Sequence, residues 1–475
     1  MGLFPYADRY PVNRELPVTG RPRAEILAEI EEMSTAEDAV AHEGKISGSI
    51  YSGDEAHYGF LNEVFGHYSH ANVIQRDMYP SATRFEGEII AMAAGLFHAP
   101  EAVGVLTSGG TESLMNPLLV YREWGLERGI TRPNLVLPTS AHPALHKGAH
   151  YFGIEVRMAE LTDRFVADMD SVRSLVDENT IALAGSAGTY PHGLIDPIEE
   201  MSDLAVERDI NLHVDGCLGG FVLCWAEELG VGAPVFDFRL PGVTSMSADT
   251  HKYGFGLKGS SVLLYRTAEL RRKQYFIMPD WSGGIYTSPG MSGSRSGGII
   301  AAAWAAMVSL GREGYLAIAA DIFRTAARLR EIIGEHPELR VLGDPLFNVA
   351  FAATPASQSN DSQPNDGQPN DGQLNDGPID IFHVNDALAA KQWRMNGLQH
   401  PPAVHFCITR PNTLPGVIDR FAADLHEAVG YARERRGTPP RSGATYGAGG
   451  ASIPRDKVAA GVAGWLDATN ALPPI

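Results

Sequence analysis

Cysteine is scarce in this chain: Cys217, Cys224 and Cys407 are its only three in 475 residues. That is too few for a disulfide framework and fits a reducing compartment. Cations are scarce as well, 38 Lys and Arg against 57 Asp and Glu, for a net charge of −19. Binding a phosphate backbone or an anionic membrane surface requires clustered Lys and Arg, so no nucleic-acid partner is expected. Long apolar runs are missing too. The longest, Ile299 to Leu310, contains five alanines and a serine and falls short of the ~18 to 20 residues that span a bilayer. No integral membrane segment is expected. The N-terminal stretch MGLFPYADRYPVNREL has neither the charged start nor the apolar stretch of a secretory signal. Met1-Gly2 does not complete a myristoylation motif, because Tyr6 stands where Ser or Thr is needed. These absences describe a soluble, cytoplasmic protein.

What is present is ordinary core-forming material, 44% hydrophobic and 20% charged. With 51 glycines and 31 prolines, many tight turns and close backbone approaches are expected. At roughly 150 residues per domain the length allows about three units, or one large α/β domain with attachments.

From Arg21 to Met33, apolar Ile26, Leu27, Ile30 and Met33 recur at helical spacing. The Gly- and Tyr-rich stretch from Gly44 to Tyr79 shows little periodicity, so it is expected to be ordered by packing on something else. A helix is predicted over Arg84–Phe97. Short β-like runs then alternate with helical stretches: Val103–Thr107, Leu135–Thr139, Glu155–Ala159, Ile181–Ala184, Leu212–Asp215, Val243–Ser247 and Ser261–Tyr265. Such alternation predicts crossover units around a mainly parallel sheet. After Gly298 the order becomes a long helix near Gly314–Glu335, a strand pair, a helix, the run Val404–Ile408 and a final helix, which indicates a smaller C-terminal domain.

One segment is foreign to this pattern. Between Asn360 and Gly377 the unit Asn-Asp-Gly/Ser-Gln-Pro/Leu occurs three times, followed by a truncated fourth copy. It offers no core to bury, so a disordered insert over 356–377 is expected. The expected organisation is therefore 1–83 as a helical and extended segment contributing to the site, 84–312 as the large domain, and 313–475 as the small α+β domain carrying that insert.

Three motifs carry chemistry. Ser245–Gly254, SMSADTHKYG, places Lys252 just beyond a predicted buried strand, with Lys258 six residues further on. Burial pulls a lysine pKa down, which supplies the free amine that a Schiff base needs. His213–Gly220, HVDGCLGG, places Asp215 at the tip of a predicted strand, where α/β folds bind ligands and where an Asp can equally cap a helix. Thr107–Ser113, TSGGTES, follows a strand and opens a helix, so its N–H groups and helix dipole can hold a phosphate. Phosphate cradle, carboxylate and lysine on the strand ends of one sheet are the minimum set for pyridoxal phosphate: the carboxylate keeps the ring an electron sink and the lysine carries the aldehyde. A cofactor-free interaction scaffold is disfavoured by the completeness of that set.

The stretches SGSIYSGD (47–54), SGGTES (108–113), TSAHPALHKGAHYFG (139–153), PHGLIDPI (191–198), HVDGCLGGF (213–221), GVTSMSADTHKYGFGLKGSSVLLY (242–265), DWSGGIYTSPGMSGSRSGG (280–298) and HFCIT (405–409) resemble the sphingosine-1-phosphate lyase family. That family belongs to the fold-type I pyridoxal-phosphate enzymes and is related to the group II decarboxylases. The resemblance runs from about Glu25 to the final helix, and Cys217 with the GGIY…SGSR block favours lyase over decarboxylase.

The resemblance implies a fold-type I transferase architecture and retro-aldol cleavage of a phosphorylated long-chain base to a long-chain aldehyde and phosphoethanolamine. It implies that Lys252 bonds the cofactor, that Asp215 pairs with the pyridine nitrogen, and that His142 stacks on the ring beside Cys217. Gly110, Thr111 and His251 would hold the phosphate, with Gly293 and Ser294 reaching it from a neighbouring subunit, hence a homodimer with shared sites. Tyr51, Tyr190 and Lys258 match substrate-side residues and are the candidate proton carriers. Asn72 and Gln75 also face the substrate, in Asn72-Val73-Ile74-Gln75 where the family usually has Asn-Pro-Leu-His; a cation is lost there. No membrane anchor of the kind typical of eukaryotic members is expected. The alternative reading is an L-amino-acid α-decarboxylase with Arg410 on the substrate carboxylate. His142, His146 and His150 are spaced like zinc ligands, but Pro143 takes His142 out of their helix and no metal is expected.

Overall fold

A computed structural model of the chain describes residues 6–355, 378–443, 460–464 and 466–467. The 360–377 repeat and the whole 356–377 insert lie outside the described residues.

Three helices come first: α1 (Arg23–His42), α2 (Glu55–Tyr68) and α3 (Pro80–Leu96). The helix α2 falls inside the stretch expected to lack periodic structure. Asp54 caps it, accepting from the Ala56 and His57 N–H groups. Only Leu61 of α2 is buried, which is why no apolar stripe betrayed it. Its partner is α10 (Gly297–Gly334), where a Cβ on Gly298 would come within 2.6 Å of the Phe65 ring. Bare backbone at that position lets the two helices touch. The expected helix near Gly314–Glu335 is the second half of α10; Gly311, at φ 58° and ψ 178°, breaks the first half from it.

The large sheet is built from β1 (Val103–Thr107), β2 (Asn134–Pro138), β3 (Glu155–Ala159), β4 (Thr180–Ser186), β5 (Asn211–Asp215), β6 (Val243–Ala248) and β7 (Ser261–Tyr265), in the order β1-β7-β6-β5-β4-β2-β3. All seven predicted runs are strands. Helices α4 (Gly110–Glu127), α5 (Pro143–Phe152), α6 (Met169–Leu175), α7 (Ile198–Arg208) and α8 (Gly220–Leu223) fill the connections. Strands β2, β4 and β5 are buried along their whole length, which accounts for their unbroken apolar runs. From β3 to β6 all pairings are parallel, but β7 runs antiparallel to both of its neighbours. The β6–β7 connection holds no crossover helix, and a parallel return would need one.

After β7 come α9 (Ala268–Arg272) and a hairpin of β8 (Phe276–Met278) and β9 (Tyr286–Ser288). Beyond α10, an antiparallel sheet of order β10-β11-β13-β12 is formed by β10 (Leu339–Val341), β11 (Asn348–Ala353), β12 (Asn396–Gln399) and β13 (Pro402–Cys407). Helices α11 (Ile381–Ala390) and α12 (Val417–Glu434) pack with it. Its centre is Trp393, fully buried, edge-on to Phe421 at 5.0 Å and to Phe406 at 5.8 Å, with Nε1 donating to Asp424. Trp393→Ala is expected to lower stability by about 3–5 kcal/mol, the cost of a large aromatic cavity, measurable as a lower urea midpoint at unchanged slope. No helix among the described residues is long and apolar enough to cross a membrane.

Candidate functional site

Asp215 is the last residue of β5, in register with Ser247 on β6. Its Oδ1 accepts from the Cys217 N–H at 3.0 Å, which fixes the carboxylate at the strand tip. Past the end of β6 the chain folds into a tight turn. The Lys252 N–H donates to the Asp249 carbonyl, the Phe255 N–H to that of Lys252, and the Gly256 N–H to that of Thr250. A Cβ on Gly254 would stand 2.6 Å from the Thr250 carbonyl, so this turn requires glycine there. Lys252 thus sits four residues beyond β6, not at the strand end itself.

The turn points Lys252 Nζ onto Asp249 Oδ2 at 2.8 Å, and Asp249 is buried. Burial by itself lowers the Lys252 pKa, as the sequence suggested. The Asp249 carboxylate overrides it, and the net direction is up, well above the usual lysine value. The amine is therefore an ion-paired ammonium, a correction to the free amine expected from burial alone. Burial likewise pushes Asp249 up, but Lys252 and His251 pull harder and its net direction is down.

Tyr51 reaches this lysine from the far N-terminal side. The segment before it is stitched to β13 and its surroundings: Gly48 N–H to the Cys407 carbonyl, Ser47 N–H to the Arg394 carbonyl, Ser47 Oγ to the His405 carbonyl. Tyr51 is buried, edge-on to Tyr253 at 5.0 Å, and Tyr253 donates its hydroxyl to the Ile408 carbonyl. Lys258 closes the cluster, donating from Nζ to the Ser49 carbonyl at 2.8 Å and lying 4.9 Å from the Tyr51 ring centre. The residue is exposed, and its ammonium is held by that one bond. Burial of that ammonium, then the Lys252 charge, push its pKa down to about 8. Tyr190 stands edge-on to His405 at 4.9 Å, and ionising it would raise the Tyr51 pKa. Tyr51, Tyr190 and the loop carrying Lys252 and Lys258, three distant parts of the chain, are therefore brought together.

Cys217 is buried, its Sγ 3.2 Å from Ser247 Oγ, and burial holds the thiol well above its usual range. His142 caps α5 with Nδ1 accepting from the Ala144 N–H, and Pro143 begins the helix, as expected. Burial lowers the His142 pKa while Asp215 raises it, and Lys252 and Asp249 act on it too, which places the imidazole among these charges. Among the described residues no three His, Cys, Asp or Glu side chains are grouped to hold a metal ion.

The phosphate cradle has the right form for an anion. Helix α4 opens after Gly109, at φ 149°, and no side chain caps its first N–H groups. A Cβ on Gly110 would fall 2.8 Å from Asp249 Oδ2 and 3.2 Å from Cys217 Sγ. Glycine is required for the backbone to approach so closely. His251 lies alongside, its Cε1 3.7 Å from where a Gly109 Cβ would be and its Nδ1 donating to the Ser260 carbonyl. Thr111 follows on the exposed side. An uncapped helix terminus, a carboxylate at a strand tip and an amine between them fit pyridoxal phosphate.

Asn72, Gln75, Gly293 and Ser294 form a separate group. Asn72 Nδ2 donates to Ser294 Oγ at 3.0 Å, and its Oδ1 accepts from the Ile74 and Arg295 N–H groups. Gln75 is exposed, its N–H bonded to the Asn72 carbonyl, and Gly293 lies against Tyr286. The two-pronged pair of Arg295 with Glu86 anchors the segment. Within one chain these residues bond to one another rather than to the Lys252 cluster. Sequence reading gave no role to Tyr253 or His405, and took Asp249 only as a residue flanking Lys252. For Asp249 a signal existed, since an Asp three residues before Lys252 on one turn can reach its amine.

The conserved domain described as pyridoxal-dependent decarboxylase matches residues 12–353. The chain is 38% identical over 465 residues to sphingosine-1-phosphate lyase 1 of Rattus norvegicus, covering 97% of this chain and 78% of the rat protein. It is 32% identical over 335 residues to a probable L-aspartate decarboxylase of Pyrococcus furiosus, covering 70% and 88%. Its fold superimposes on the structure of a Burkholderia pseudomallei sphingosine-1-phosphate lyase with a TM-score of 0.88, at 47% identity over 99% of this chain and 100% of that one. Matched almost end to end by lyases from a mammal and a bacterium, and with a site suited to the cofactor of the wider domain, the chain belongs to the sphingosine-1-phosphate lyase family of pyridoxal-dependent enzymes.

Proposed function

We propose that this protein cleaves a phosphorylated long-chain base between C2 and C3, releasing a long-chain aldehyde and phosphoethanolamine. The observation that carries this reading is the cluster of Tyr51, Tyr190 and Lys258 around Lys252. When bound, pyridoxal phosphate supplies an electron sink for the bond broken beside the substrate amine. Lys252 would hold the cofactor covalently, Asp215 would pair with its ring nitrogen, and His142 and Cys217 would lie beside the ring. Gly110, Thr111 and His251 would hold its phosphate. Tyr51 and Tyr190 move protons at the C3 hydroxyl. Asn72 and Gln75 face the substrate's phosphate end, where Gln75 offers an amide in place of a cation.

Lys258 binds that same phosphate as an ammonium. Its depressed pKa sets the sign of a pH effect: below about 8 it is charged and holds the phosphate, and above it the charge is lost. kcat/KM is therefore expected to fall about tenfold per pH unit above that value, and Lys258→Arg, which stays charged, to extend the plateau upward. A profile that instead rises through 8 would assign Lys258 the role of base.

The working unit is a homodimer in this proposal, with Gly293 and Ser294 of each copy serving the phosphate of the other. The β8–β9 hairpin that leads into them supports it, because Phe276, Ile277, Trp281 and Ile285 are all exposed there.

The second reading, amino-acid decarboxylation, has the Pyrococcus relative in its favour. It needs a free cation for the substrate carboxylate, and the expected one, Arg410, is already paired with Asp54 at 2.7 Å. Cofactor-loaded protein offered L-aspartate, L-glutamate and the aromatic L-amino acids is expected to release no carbon dioxide. Release at rates matching a dedicated decarboxylase would overturn the lyase reading.

A further inference from the structure

We propose that Asp249 is the positioning residue of Lys252: its carboxylate, held between the lysine amine and the first turn of α4, keeps that side chain aimed before the cofactor arrives and governs when the amine is free to bond it. The inference rests on Lys252 being the attachment point. Asp249 Oδ2 lies 2.8 Å from Lys252 Nζ and 3.6 Å from His251 Nε2. The same carboxylate packs against Gly110, the residue that opens the phosphate cradle. Amine and cradle are thus registered to each other through one buried anion.

The other groups that face the lysine do not substitute for it. Tyr51 from the N-terminal segment and Cys217 from the end of β5 are both driven toward their neutral forms by burial, as is Cys407 on β13. His251 on the same turn and His142 at the head of α5 are held below the usual histidine range. Lys258 adds positive charge from across the loop, and Asp215 is bonded to the Cys217 backbone. Asp249 is the anion in contact with the amine.

Bond formation requires that Lys252 first give a proton to solvent. Its Nζ then bonds the aldehyde carbon and the aldehyde oxygen leaves as water. Releasing that proton means breaking the Asp249 pair, so capture of the cofactor is expected to be slow at neutral pH and to quicken with alkalinity.

The test mixes cofactor-free protein with pyridoxal phosphate between pH 6 and 9 and follows the visible band, with borohydride fixation and peptide mass mapping to confirm the label on Lys252. In the wild type the capture rate is expected to rise about tenfold per pH unit. Asp249→Asn should level off at least about one unit lower and capture about tenfold faster at pH 7, whereas Asp249→Glu should restore the wild-type pH dependence. A flat wild-type profile overturns the inference even if the Asn variant does not fold, as do identical profiles for wild type and Asn variant. Absence of label on Lys252 in the wild type overturns instead the cofactor reading on which the inference stands.

Discussion

Lys252→Ala protein is expected to fold, to bind pyridoxal phosphate without bonding it, and to lose at least about 10³-fold in turnover. The turn is held by backbone hydrogen bonds, Lys252 N–H to the Asp249 carbonyl, Phe255 N–H to the Lys252 carbonyl and Gly256 N–H to the Thr250 carbonyl, and these survive the substitution. The variant leaves the buried Asp249 without its 2.8 Å partner. A carboxylate in that position takes up a proton rather than unfolding the domain, since neutralisation costs less than a bare buried charge. Circular dichroism should therefore match the wild type while borohydride leaves no pyridoxyl group on the protein. Substantial cleavage by this variant would remove Lys252 from the role given to it.

Asp215→Asn is the second large effect. The amide keeps an oxygen for the Cys217 N–H, now bonded at 3.0 Å, so the strand tip retains its shape. It cannot hold a proton on the ring nitrogen by charge. The electron sink weakens when the charge that supports it is gone, and kcat is expected to fall about 10²–10³-fold. Cofactor should remain on Lys252, visible as an unchanged borohydride label. Equal losses of label and activity would make Asp215 a structural cap of its turn instead.

The large sheet was legible because its strands are short and, β3 apart, largely buried and apolar. β1, β3 and β7 match their predicted ranges end to end, and β2, β4, β5 and β6 differ only at their ends. Elements whose residues do not pack on the core left no pattern. α2 buries only Leu61 and is ordered by contact with α10. β8 is exposed at all three positions, and β12 is a four-residue run containing Asn, Gly and Gln.

The site divides in the same way. Lys252, Asp215 and the Gly109–Gly110 turn carry signatures that spacing and residue type reveal. Tyr51 stands some two hundred residues before Lys252, and only the fold of the 47–54 segment onto β13 brings it there. Resemblance to the lyase family identified it where local pattern could not. The charge on Lys252 was misread because burial was weighed without the partner three residues upstream. A buried lysine titrates low when alone and high beside a carboxylate, and sequence position alone does not say which.

The most direct measurement is a product assay on cofactor-loaded protein given sphinganine 1-phosphate, with aldehyde and phosphoethanolamine quantified together. The two products are expected in equal amounts, and neither above background from Lys252→Ala. Protein that carries the cofactor on Lys252 yet releases neither product would contradict the account.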